Sequence, residues 1–162
     1  MRVVVMGVIG SGKTALGRTL AQALDWPFLD ADDYHSEQAR AQMASGTPMS
    51  DDDRRPWLLA LRRTLGEHGQ VVLACSALKR RYRDILRLPG TRFLYLEVPP
   101  ELVYVRLQAR AGHFAGPELL PSQFESLEPP MPSETDVLTL RVAPEDTPED
   151  LRDRALAMLG LP

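Results

Sequence analysis

The 162-residue chain has one cysteine (Cys75), no asparagine, two lysines and few aromatic residues, 6% of the total. A lone cysteine excludes an intramolecular disulfide framework and a zinc site built from several thiolates. Without asparagine, the N-K-x-D segment that reads guanine in GTPases is absent. Apolar runs are short and broken by charge, as in Phe93-Leu94-Tyr95-Leu96-Glu97, so none approaches the roughly 18 apolar residues of a membrane span. There is no basic surplus: 19 Lys and Arg stand against 22 Asp and Glu, a net charge of −3, which argues against a general nucleic-acid binder. Met1–Met6 runs straight into a glycine loop without the layout of a cleavable signal. These exclusions predict one domain over 1–162, small, soluble and cytoplasmic, yet long enough to bury a sizeable core.

What is present is periodic. Apolar runs at 3–6, 28–29, 71–74, 93–98 and 137–142 alternate with stretches at 14–24, about 53–68, 79–88 and 100–111, where apolar residues recur three or four apart. Three of the runs are near-continuous, as in strands covered on both faces. The pattern predicts an α/β fold with a five-stranded parallel sheet and helices on both sides. Thr147-Pro148-Glu149-Asp150 reads as a helix start and Gly160 as its stop, and Asp51-Asp52-Asp53 can open the helix through Trp57. Residues 112–132 carry five prolines and two glycines, too long for an ordinary connection. They are a functional lid or a disordered insert, and the helical spacing of Leu119, Leu120, Gln123, Phe124 and Leu127 favours a lid.

The strongest chemical signal is Gly7-Val8-Ile9-Gly10-Ser11-Gly12-Lys13-Thr14, which fits G-x-x-x-x-G-K-[ST] between a strand and a helix. Such glycines let the backbone wrap a phosphate with its N–H groups inward, and the following helix adds its positive end. Lys13 can reach the β- and γ-phosphates, and the Thr14 hydroxyl can ligate Mg²⁺. An accidental Gly/Ser turn would not explain the strand before and the helix after. ATP, with GTP as the other possibility, and Mg²⁺ are thereby implied. Lys13, one of two lysines among 17 arginines, is accounted for.

The rest of the chain points to an acceptor. Asp30-Ala31-Asp32-Asp33-Tyr34-His35 follows the second strand, at the end that faces the ligand crevice in parallel sheets. Asp30 can hold the hydration shell of Mg²⁺ and Asp32 can accept the proton of a substrate hydroxyl; the plain alternative is a solvated acidic loop, more so for Asp33. His35 is either a donor to a polar substrate or a surface histidine. Arg54 suits a carboxylate but can equally pair with its neighbouring aspartates. Lys79 and Arg83, four apart after the third strand, can form a positive helical face for a small anion. Cys75 reads as a small buried hydrophobe rather than a nucleophile. Arg106 and Arg110 end a helix at the mouth of the lid, where a closing segment can bring positive charge to the migrating phosphoryl group and exclude water. A helix C-terminus favours arginine for dipole reasons as well.

These residues resemble the small P-loop gluconokinases, akin in fold to shikimate kinase and the nucleoside-monophosphate kinases. The resemblance runs nearly full length: Met6–Thr14; Asp30-x-Asp32 with Tyr34-His35; Met43-Ala44-Ser45-Gly46-x-Pro48-x-x-Asp51-Asp52-Asp53-Arg54-x-Pro56-Trp57-Leu58; Cys75-Ser76-Ala77-Leu78-Lys79-x-x-Tyr82-Arg83-Asp84; Arg106-x-x-x-Arg110-x-Gly112-His113-Phe114; Gln123-Phe124-x-x-Leu127-Glu128-x-Pro130; and Glu134-Thr135-Asp136. The Asp-Arg-x-Pro-Trp-Leu and Cys-Ser-Ala-Leu-Lys blocks are its specific parts.

The resemblance implies ATP-dependent phosphorylation of D-gluconate at the 6-hydroxyl, in a homodimer. Gly7, Gly10, Ser11, Gly12, Lys13, Thr14, Arg106 and Arg110 would bind ATP. Asp32, His35, Arg54, Lys79 and Arg83 would line the gluconate pocket, with Lys13, Asp32 and Arg110 catalytic. The chain departs from the family pattern at Ile9 (serine), Ala31 (glycine) and Ala39-Arg40-Ala41-Gln42 (Asn-x-x-Lys), where Arg40 could substitute in part. A shikimate-kinase-like acid kinase is the nearest rival activity, and a non-catalytic nucleotide-binding subunit the more distant one.

Overall fold

The computed structural model describes residues 1–110 and 117–162. Five strands, β1 (Arg2–Met6), β2 (Phe28–Asp30), β3 (Val71–Ala74), β4 (Thr91–Glu97) and β5 (Val137–Arg141), pair in parallel in the order β2-β3-β1-β4-β5. The helices are α1 (Lys13–Leu24), α2 (Glu37–Ala44), α3 (Asp51–Gly66), α4 (Arg80–Leu86), α5 (Pro100–Ala109), α6 (Leu120–Ser126) and α7 (Pro148–Leu159), with a 3-10 turn over Ala31–Tyr34. The expected sheet is therefore present with its five strands parallel. Of the expected lid over 112–132, residues 112–116 lie outside the described residues. From Pro117 to Ser126 the segment is helical, 127–132 is not, and Leu120 is buried in the core.

The continuous apolar runs are explained by two cores, one on each face of the sheet. Side chains alternate across a strand, so Val3 and Val5 join Leu16, Leu20, Val103, Leu107 and Leu159 on one face. Val4 and Met6, between them, join Trp57, Leu58, Leu61, Tyr82 and Phe93 on the other. A strand buried on both faces has no polar side to alternate with.

Helix starts divide into two kinds. In α3, Ser50 accepts from the Asp53 N–H while Asp53 accepts from the Ser50 N–H; α7 repeats this capping box with Thr147 and Asp150 and stops at Gly160. Ser50 is thus the cap of α3, not the aspartate triplet, and Asp51 is left to turn elsewhere. In contrast, α1 begins after Gly12 with no side-chain cap and no acid in its first turn. Its amides are left for an anion. Helix α2 is short and buries no residue, so it has no apolar face for a periodic pattern to reveal.

Candidate active site

Strand ends build the site. The phosphate loop leaves the central strand β1, Cys75–Lys79 follows its neighbour β3, and Asp30 ends β2 with Asp32 just after it, all at the carboxyl edge and to one side of β1. The loop needs its glycines for contact reasons. A Cβ on Gly10 would lie 2.9 Å from Leu107 Cγ and Cδ2 on α5, and Gly10 has φ +75°. A Cβ on Gly7 would lie 2.8 Å from Ser11 Oγ and 3.2 Å from the Leu96 carbonyl. Helix α5, which carries Arg106, is thereby packed directly on the loop, and an Arg106 guanidinium nitrogen comes within 4.0 Å of where a Gly12 Cβ would stand. The Ser11 hydroxyl is buried without a hydrogen-bond partner inside the loop.

Lys13 folds back to donate to the Val8 carbonyl at 3.0 Å. Burial pushes its pKa down, opposed by Asp32, Cys75 and Asp30, while Arg110 adds to the lowering. Lys13 is thus within electrostatic reach of both Asp32 and Arg110. The Thr14 hydroxyl lies 3.0 Å from Asp30 Oδ2, and Asp30 Oδ1 accepts from the Asp32 N–H at 3.0 Å. These are hard oxygen donors of the kind a divalent cation takes. Asp32 itself stays open to the crevice, with its pKa raised by desolvation and by Asp30, against the pull of Lys13 and His35. Cys75 is buried, with its thiol pushed up to about 12 by burial, so it is the inert packing residue expected.

On the acceptor side, His35 is no surface histidine. Its ring stacks on Trp57 at 4.4 Å between centroids and 14° between planes, and the Trp57 indole donates to the Ala31 carbonyl at 2.8 Å. Burial lowers the His35 pKa, with Arg54 and Arg40 adding to the lowering and Asp32 opposing it, so a neutral imidazole faces the crevice. Arg54 lies with its guanidinium 5.8 Å from the Tyr82 ring centroid, and none of the ion pairs among the described residues involves it. Tyr34, His35, Trp57 and Asp53 wall a cavity of about 580 Å³ between the 3-10 turn, α2 and α3. Two departures from the family pattern, Ala39 and Gln42, line it. Gln42 ties α2 to the start of α3, donating to the Pro48 carbonyl at 3.1 Å and to Asp53 at 3.2 Å.

Two expectations fail here. Lys79 and Arg83 do not share a crevice face: Lys79 precedes α4 as its cap, and Arg83 turns inward. Arg83 is fully buried; Nε and Nη2 hold both oxygens of Glu134 at 2.8 and 2.7 Å, and Nη1 donates to the Ala77 and Leu78 carbonyls. Fully buried, with four of its five guanidinium N–H donors held inside the protein, Arg83 is placed as a strut and not at the crevice surface. Lys79, partly exposed, is held by Asp51 at 3.0 Å. Asp51 also takes Arg81 and the Tyr82 hydroxyl, a hub role that reading it as a helix opener did not reveal. Tyr82 and Glu134 were missed as organisers for the same reason. Their partners are 31 and 51 residues away in sequence, beyond any local pattern.

The shikimate kinase family profile matches residues 9–129. A probable gluconokinase from Rattus norvegicus is 48% identical, the match covering 78% of this chain and 81% of that protein. The thermoresistant gluconokinase of Escherichia coli K12 is 43% identical, over 86% of this chain and 83% of its own. The crystal structure of a gluconokinase from Sinorhizobium meliloti superposes with a TM-score of 0.88 at 39% identity, over 98% of this chain and 91% of that one.

Proposed function

This chain belongs to the gluconokinases, within the wider shikimate kinase family, and from that premise we propose how its crevice phosphorylates D-gluconate with ATP. The observation that carries the reading is the uncapped start of α1 at the phosphate loop, with the Thr14 hydroxyl 3.0 Å from Asp30 and with Asp32 within electrostatic reach of both Lys13 and His35.

The loop amides from Gly10 to Thr14 cradle the β- and γ-phosphates, Lys13 leaves the Val8 carbonyl to reach them, and Arg106 and Arg110 close on the outer oxygens. Thr14 and Asp30, the latter through water, are the residues that would hold Mg²⁺, which neutralises charge on the phosphates when bound. Gluconate lies along the opposite wall, its carboxylate toward Arg54 and its hydroxyls toward His35 and Asp32, with Lys79 at the edge. The 6-hydroxyl oxygen attacks the γ-phosphorus, the bond to the β–γ bridging oxygen breaks, and ADP leaves with the electron pair. Asp32 takes the hydroxyl proton; its raised pKa makes it a better base than an ordinary aspartate. His35, neutral, donates or accepts hydrogen bonds without adding charge. The homodimer belongs to the same reading.

The test is ADP release measured with gluconate, other aldonates, shikimate and nucleoside monophosphates in turn. Gluconate is expected to stimulate most. Stimulation by shikimate with none by gluconate would assign the site to the rival acid kinase, and ATP binding without turnover on any acid would make it a nucleotide-binding subunit.

A further inference from the structure

One contact in the crevice comes from a residue that neither the phosphate motif nor the acceptor chemistry has used. Gln123, on α6, reaches back over 114 residues of chain so that its Oε1 accepts from the backbone N–H of Ile9 at 3.1 Å. Ile9 is the third residue of the phosphate loop, next to Gly10 and to the Val8 carbonyl that Lys13 holds. A backbone N–H can only donate, so the carboxamide must present its oxygen to the loop and keep its NH₂ group on its other side.

Packing fixes this side chain. Leu120 is buried in the same apolar cluster that Ile9, Phe124 and Leu127 pack against, so the helix is seated on both sides of Gln123. The chain leaving α6 is tied at the opposite end of the crevice: the Glu128 N–H donates to the Leu78 carbonyl and the Glu128 carboxylate accepts from the Arg80 N–H, both at 2.8 Å. Leu78 and Arg80 flank Lys79. Helix α6 therefore spans from the apex of the phosphate loop to the turn that carries the acceptor wall.

We propose that Gln123 is a positioning residue for phosphoryl transfer: by holding the Ile9 amide it fixes the loop apex to the α6 brace, and so sets the distance from the γ-phosphoryl group to the acceptor hydroxyl. This rests on the kinase reading of the site. Transfer is sensitive to such spacing, since a displacement of about 1 Å can cost as much as 100-fold in rate. A γ-phosphoryl group held loosely is also exposed to water in place of the acceptor.

The experiment compares Gln123→Met, which keeps the length and loses the acceptor, with Gln123→Glu, which keeps the acceptor. In Gln123→Met, kcat is expected to fall about tenfold with KM for gluconate within about twofold. ADP formed should exceed phosphogluconate formed, where the unsubstituted enzyme makes them one for one. Gln123→Glu is expected to restore that ratio, with a raised KM for ATP from the added negative charge. A merely structural role would lower melting temperature and active fraction without moving the ratio. Wild-type kcat and ratio in Gln123→Met, or uncoupling as large in Gln123→Glu, would overturn the proposal. If the unsubstituted protein showed no gluconate-dependent turnover, the kinase reading would fall first and this one with it. Failure of Gln123 alone leaves that turnover intact.

Discussion

The two ends of the crevice are made differently. At the phosphate-loop end, eight consecutive residues make the geometry, and their backbone shape is enforced by glycines pressed against α5 and Ser11. At the other end, single residues arrive from the 3-10 turn, α3 and the β3–α4 turn, and two of them are held by side-chain partners, His35 by Trp57 and Lys79 by Asp51. Backbone-built geometry travels with the motif. Side-chain-built geometry depends on partners far off in sequence and is where one substitution can redirect a neighbour.

Substitutions should separate the two ends. Lys13→Ala removes the charge that crosses to the transferred group, and kcat should fall by about 10³-fold or more in an ADP-release assay; a rate near wild type would remove the loop from catalysis. Asp32→Asn should lower kcat by about 10²–10⁴-fold with ATP affinity little changed. Because the Asp32 pKa is raised by desolvation and by Asp30, the acid limb of kcat/KM should lie above the ordinary aspartate range and vanish in Asp32→Asn. Arg54→Met should act at the acceptor end only, raising KM for gluconate about 10–100-fold as a charge-assisted contact is lost, with KM for ATP unchanged.

The smallest catalytic effect should come from the Arg83–Glu134 pair, and its signature is stability. Hydrogen bonding to Arg83, against a desolvation cost, holds the Glu134 pKa near 2 in place of the usual 4.5. A depressed folded-state pKa adds stability above the unfolded value and loses it as pH falls from about 4.5 toward 2, a contribution of about 3 kcal/mol. Glu134→Gln should flatten that acid limb in urea titrations between pH 5 and 3. It should also lower the midpoint at neutral pH, since Arg83 is left buried and unpaired. Folded enzyme should keep its KM values to within about twofold. A large rise in KM for gluconate on Arg83→Met, with the fold retained, would instead return Arg83 to the substrate.

Much of this site was legible because local rules apply to local features. The loop announced itself through glycines, a lysine and a hydroxyl between a strand and a helix, and Asp30 and Asp32 through their place after β2. Arg83 was misplaced because helical spacing from Lys79 says which residues are neighbours along a helix but not which side faces the core. Lys79 caps α4 and lies outside it, so the shared face never formed. Asp51 was read as a cap when Ser50 was better suited, and that freed it to gather Lys79, Arg81 and Tyr82.

By itself the sequence determined the strand and helix alternation, the parallel sheet and the phosphate loop, since each follows from side-chain periodicity and backbone sterics over a few residues. The tertiary structure alone decided which cations stay exposed, which are sealed away, and that Gln123 reaches the loop. Those outcomes depend on burial and on partners brought from distant segments, and only the folded chain sets the electrostatic cost of leaving a charge unpaired.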